Sequence, residues 1–229
     1  MSLEPSASGS AASIGLAPGV PQEAAGQDAA KYGSTNPVVR GLLDRWTRRL
    51  QGLVGPLPAT VVDVGIGEGL CLERLLAADA AARGSGAAGV SPDVRVLGVE
   101  YRHDKAQVAG KVAGVTAVVG DAGLLPFPDR SADLVLCIEV LEHLPTVAPA
   151  VAELARVAKD RCVVSVPWEP WFRLGNLGRG KNVTRLGNDP EHLHAFTPRK
   201  LRRTLERSFA EVRVVPVFPW LVAEARSPR

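Results

Sequence analysis

Hydrophobic positions along the chain fall into two alternating periods, one helical and one of short apolar runs. In "NPVVRGLLDRWTRRLQGLV" Val39, Leu42, Leu43 and Trp46 recur at helical spacing from Asn36 onward. "TVVDVG" (60–65) is a short apolar run ending in glycine, which predicts a buried strand, and "EGLCLERLLAADAAAR" predicts the helix after it. A Gly/Ala/Ser/Pro loop near 84–93 intervenes. "VRVLGVE" (94–100), "VTAVVGD" (115–121), "ADLVLCIE" (132–139) and "RCVVSVP" (161–167) read as further strands. Between them lie a short helix in "HDKAQVAGKV" and an amphipathic helix over 145–159, carried by Val147, Val151, Leu154 and Ala158.

An irregular stretch, 168–196, precedes "TPRKLRRTLERSF", where Thr197 is the expected N-cap and Pro198 the first helical residue. Two last apolar runs, 211–218 and 220–225, separated by Pro219, predict a hairpin. Strands alternating with helices predict an α/β fold: a mostly parallel sheet of seven strands with helices on both faces and an antiparallel C-terminal edge hairpin.

Composition narrows this only slightly. The 229 residues suffice for one domain, with 46% hydrophobic and 22% charged residues. A net charge of +3 is too mild to argue for a nucleic-acid protein. Cys71, Cys137 and Cys162 are odd in number and far apart. They suggest neither zinc nor a disulfide framework, and no metal is expected. A reducing, cytoplasmic location fits. The first 30 residues are rich in Ala, Gly, Ser and Pro and lack the marks of a leader or span, so a mobile tail is expected, with the domain proper over 31–229.

Candidate chemistry centres on "VVDVGIGEG". The absence of GxxxxGK[ST] removes an ATP-binding P-loop, and Leu70 stands where a dinucleotide fingerprint needs its third glycine. Asp63 lies in an apolar strand, where a carboxylate needs loop N–H groups or a ligand amine. Glu100 ends the second strand, where an acid can take ribose hydroxyls. Asp121 ends the third and suits the amine of an adenine. Three strand ends with one acid each, around one glycine turn, describe a nucleoside site.

With "VLGVE" and "VVGDAGLLPFPDRSADLVLCIEVLEHL", this set resembles the class I S-adenosylmethionine-dependent methyltransferases of the methylase type-11 kind, with a Rossmann-like sheet, over about residues 55–167. The resemblance implies S-adenosyl-L-methionine as cofactor. Gly65, Gly67 and Gly69 would admit its methionine part, with Asp63 beneath. Glu100 would hold the ribose, Asp121 and Ala122 the adenine, and Glu139 would lie near the methionine moiety. The extra Ala/Gly/Ser-rich loop between Gly69 and Glu100 departs from the family pattern. Tyr101 could pack along the adenine or be a plain surface aromatic. Tyr32, between Lys31 and Gly33, could cover a sulfonium or staple the first helix.

For the acceptor, a small molecule methylated on a hydroxyl is expected, by direct in-line transfer. Histidines are then candidate bases. His194 and His192, in "NDPEHLHAFTP", and His143, in "EVLEHL", are the candidates, each with an alternative as a packing or loop-holding residue. His103 reads as structural or solvated. Trp168, Trp171 and Phe172 beside Arg173, Arg179, Lys181 and Arg185 suggest a lid over an aromatic or lipid-like acceptor, a membrane- or RNA-facing loop, or a solvated insertion. No NPPY-type tetrapeptide follows the fourth strand, which argues against DNA. Methylation of RNA or protein, and a cofactor-binding partner protein without catalysis, remain alternatives.

Overall fold

A computed structural model of the chain describes residues 32, 34–84, 93–171, 173 and 191–229. The expected tail 1–30, Lys31, Gly33, most of the 84–93 loop, Phe172 and the Arg179, Lys181 and Arg185 cations lie outside them.

The elements follow the apolar periods closely. They are α1 (Pro37–Val54), β1 (Thr60–Val64), α2 (Leu70–Ala82), β2 (Arg95–Glu100), α3 (His103–Ala109), β3 (Val115–Val119), β4 (Ala132–Ile138), α4 (Val147–Val157), β5 (Ala158–Pro167), α5 (Pro198–Leu205), β6 (Phe209–Val217) and β7 (Trp220–Pro228). The starts of α1 and α5 are set by side-chain caps: Asn36 Oδ1 accepts from the Val38 and Val39 N–H groups at 2.9 and 3.3 Å, and Thr197 Oγ1 accepts from Lys200 N–H at 3.3 Å.

The sheet has seven strands in the order β3-β2-β1-β4-β5-β7-β6. β1 to β5 pair in parallel, and β7 runs antiparallel to both β5 and β6. The hairpin thus forms one edge as expected, with its second strand on the inside. Residues 220–223 are buried on both faces, whereas β6 alternates toward solvent, so β7 is the strand suited to an interior place.

One core packs between the sheet and α4 and α5, around Val62, Val64, Val99, Leu154 and Leu201. The other packs under α1 and α2, around Val61, Val96, Leu43, Trp46 and Leu72. Since strand side chains alternate, Asp63 shares the α1–α2 face with Val61, and Glu100 shares it with Val96. Cys137 and Cys162 are fully buried, and burial holds both thiols well above the usual cysteine range. They serve as small core hydrophobes.

Candidate functional site

The strand order reverses between β1 and β4, and in open α/β sheets ligands bind outside the carboxyl ends at such a switch point. Here β1 runs into the turn Gly65–Gly69. Gly65, Gly67 and Gly69 have φ of 72°, 60° and 85°, a backbone region that side chains rarely adopt. Gly65 N–H and Ile66 N–H both donate to the Val99 carbonyl, at 2.7 and 3.1 Å, tying the turn to β2. A Cβ at Gly65 would run into the Val140 side chain, so the turn after β1 and the segment after β4 lie against one another.

The three expected acids differ in setting. Asp63 is buried, and desolvation together with the charge of Glu100 raises its pKa from 3.8 to about 7. Glu100 Oε2 accepts from Gly67 N–H at 2.9 Å and Oε1 from Arg102 N–H at 3.0 Å. Each carboxylate oxygen keeps a further lone pair, so the same group can accept hydroxyls. Asp121 is exposed, with Oδ1 accepting from Gly123 N–H at 2.7 Å, and the half-buried Ala122 packs on the core behind it. Tyr101 is half-buried directly after Glu100, and His103 is exposed at the start of α3.

Arg156 fixes the loop between Asp121 and β4. Its guanidinium donates to the Leu125 and Phe127 carbonyls, to both carboxylate oxygens of Glu153, and to Asp129, all within 3.0 Å. These ion partners raise the pKa of Arg156, and Arg156 in turn lowers that of Glu153. Sequence reasoning missed this clamp, although Glu153 and Arg156 stand at helical i,i+3 spacing on the predicted helix.

Glu139 has a left-handed backbone, φ 59°, uncommon for a non-glycine residue. Its Oε1 accepts from the Ser165 hydroxyl at 3.2 Å and its Oε2 from Trp220 Nε1 at 2.8 Å. Ser165 Oγ also accepts from Trp46 Nε1 at 3.0 Å, and the Trp46 and Trp220 rings lie 5.5 Å apart. Tyr32 stacks on this cluster, 6.4 Å from Trp46, with the Arg74 guanidinium 5.3 Å from its ring. Tyr32 thus holds the entry to α1 against the switch point.

Two of the three candidate histidines meet, and the third is tied to the same segment through its backbone. Leu193 and His194 N–H groups both donate to the Glu142 carbonyl, at 2.8 and 3.1 Å, which pins the segment before α5 onto the segment after β4. His143 Nδ1 lies 3.0 Å from the Glu191 carbonyl, and its ring is 5.1 Å from that of His192. Desolvation and the neighbouring His192 lower the His143 pKa. Behind His192 sits the buried Glu169, with Oε1 3.8 Å from His192 Nδ1 and Oε2 3.5 Å from Arg173 Nε. His194 Nε2 is shielded and has no hydrogen-bond partner among the described residues. Trp168 and Trp171 stack edge to face at 6.2 Å, with Phe218 6.3 Å from Trp171.

Such a sheet, with its switch point and strand-end acids, belongs to the doubly wound α/β proteins. Comparison with known proteins makes this specific. Residues 62–166 match the family described as "Methyltransferase domain", Methyltransf_11. Over those residues the chain resembles a class I methyltransferase domain, a family whose cofactor is S-adenosyl-L-methionine. It is 32% identical over 110 residues to ajmaline N-methyltransferase of Rauvolfia serpentina, covering 48% of this chain and 35% of that protein, so the match spans about a third of the relative's length. Magnesium protoporphyrin IX methyltransferase from Synechocystis PCC 6803, solved with bound S-adenosylhomocysteine, is 19% identical with a TM-score of 0.58, covering 86% of this chain and 91% of that one. A SAM-dependent methyltransferase from Aquifex aeolicus is 17% identical with a TM-score of 0.60, covering 83% and 93%. At such identities the structural likenesses speak for the fold alone.

Proposed function

We propose that this protein transfers a methyl group from S-adenosyl-L-methionine to a hydroxyl of a small-molecule acceptor. The observation that carries the reading is the meeting of His143 and His192, with His194 N–H bound to Glu142, beside the segment that packs on the Gly65 turn. A donor site and a set of basic nitrogens then share one strand edge. Both ajmaline and magnesium protoporphyrin IX, named for the relatives above, are small molecules, which supports that acceptor class.

In this reading Asp63 faces the cofactor's ammonium, because an acid raised by burial and a like charge is stabilised by an incoming cation. Gly65, Gly67 and Gly69 admit the methionine part, Glu100 accepts the ribose hydroxyls, and Asp121 with Ala122 meets the adenine. Tyr101 packs along that ring, Tyr32 covers the sulfonium, and Glu139 braces the wall near the methionine moiety. The cofactor supplies an electrophilic methyl carbon. The chain's own residues align the acceptor, exclude water and take up a proton, and alignment alone can remove roughly 7–11 kcal/mol of barrier. His194 is the proposed base, since its Nε2 carries no hydrogen bond to a described residue. The domain is taken as 31–229, with the described residues 168–171 and 191–196 on its acceptor side. Among the described residues no helix is long and apolar enough to cross a membrane.

An RNA acceptor is the second reading. Arg45, Arg48, Arg49 and Arg213 line a cavity of about 330 Å³ between α1 and β6, which would suit phosphates. The test is a mass-spectrometric screen of hydroxyl- and amine-bearing small molecules with wild type and His194→Ala. A one-methylene mass gain on a hydroxyl compound, reduced about 100-fold or more in His194→Ala, is expected. Methylation confined to nitrogen acceptors or to RNA would overturn the hydroxyl reading.

A further inference from the structure

Beyond methyl transfer itself, Glu142, His143 and His192 form a cluster that the cofactor site does not use. One ligand atom from each lies within 4.8 Å of the other two. Glu142 is 1% exposed, and the His192 side chain 8%. His143 Nε2 stands 3.9 Å from Glu142 Oε1. A buried carboxylate with two imidazoles in reach is a ligand set suited to a divalent cation.

The outer contacts point the same way. Ligating histidines typically donate their second ring N–H to a carbonyl or carboxylate, which fixes the tautomer and frees the other nitrogen. His143 Nδ1 has the Glu191 carbonyl at 3.0 Å, and His192 Nδ1 faces the buried carboxylate of Glu169 at 3.8 Å. The Leu193 and His194 N–H groups, bound to the Glu142 carbonyl, hold the two halves of the cluster in register.

We propose that Glu142, His143 and His192 bind one divalent first-row transition ion of the zinc type, through a two-histidine, one-carboxylate set with an open coordination position. Three protein ligands and a free position are the pattern of a catalytic rather than a closed structural site. The open position takes an oxygen ligand, a hydroxyl or carboxylate of the acceptor, and metal binding lowers the pKa of such a hydroxyl. The metal's part in methyl transfer rests on the proposed acceptor reading, whereas the site itself does not. In sequence the site gives no sign, because His192 is far from the adjacent Glu142–His143 pair.

The experiment is titration of the chelator-treated full chain with CoCl₂, followed by visible absorption, then competition with ZnCl₂. Ligand-field bands that saturate at one equivalent are expected. Affinity should fall at least about tenfold in Glu142→Gln, His143→Gln and His192→Gln, each checked for folding by circular dichroism. Glu169→Gln should weaken binding about 10–100-fold by loosening His192, while His103→Ala keeps full affinity. Absence of saturable Co²⁺ binding by wild type overturns the proposal, as does unchanged affinity in a folded His192→Gln. S-adenosylhomocysteine titrated into the metal-free protein reports separately on the cofactor site, so failure of either reading leaves the other visible.

Discussion

Asp63 and Glu100 end neighbouring parallel strands on the same face of the sheet, and the charge of Glu100 adds to burial in lifting Asp63 to about 7. A raised acid binds its proton more tightly in the folded chain than in the unfolded one. Its contribution to stability is therefore present at low pH and is lost as pH rises from about 3.8 to about 7. Asp63→Asn removes that dependence. Its stability advantage over wild type, measured by thermal melts without cofactor, should grow across this window to about 4 kcal/mol at most and stay flat above it. An advantage that shrinks as pH rises would contradict the assignment.

The same acid couples cofactor binding to protons. An ammonium placed beside Asp63 lowers its pKa again, so binding near neutral pH releases a proton. S-adenosylhomocysteine affinity should rise from pH 5.5 to 7.5 in wild type and be weak and pH-flat over that range in Asp63→Asn. Calorimetry in buffers of different ionisation enthalpy would show the proton release directly.

Gly65 meets two demands, a φ of 72° and contact with Val140. Gly65→Ala should cost about 1–3 kcal/mol in chemical denaturation and weaken S-adenosylhomocysteine binding by well over tenfold. Adding Val140→Ala should recover part of the stability, since the overlap is relieved while the backbone strain stays. Full recovery would show that φ imposes no strain here.

Arg156 makes five hydrogen bonds, three to the loop after Asp121 and two to Glu153, a set that a lysine cannot reproduce. Arg156→Lys should destabilise the fold by about 1–3 kcal/mol and speed amide exchange at Leu125, whose N–H donates to Glu153. Exchange unchanged at that amide would contradict the clamp.

Much of this was readable before the fold was known. Residues 61–64, 96–99 and 134–138 are largely buried and mostly apolar on both faces, as strands covered by helices on two sides must be. The acids at the ends of β1 and β2 stand out because such runs tolerate charge only at a site. Less was readable where partners are distant in sequence. The bonds joining Glu139 to Ser165 and Trp220 leave no local pattern, nor does the meeting of His143 with His192 across separate loops. The inner place of β7 depends on burial of both its faces, which its alternation with β6 in sequence does not reveal. Glu142 and Glu169 went unremarked, each being a lone acid among apolar or aromatic neighbours.

The account stands most directly on a nucleoside site at the carboxyl ends of β1 and β2. Isothermal titration of S-adenosylhomocysteine into wild type and Glu100→Gln measures it. One saturable site in wild type, weakened about 10–100-fold in a variant whose melting temperature is unchanged within a few degrees, is the result predicted. Absence of binding in wild type, or equal affinity in Glu100→Gln, would contradict it.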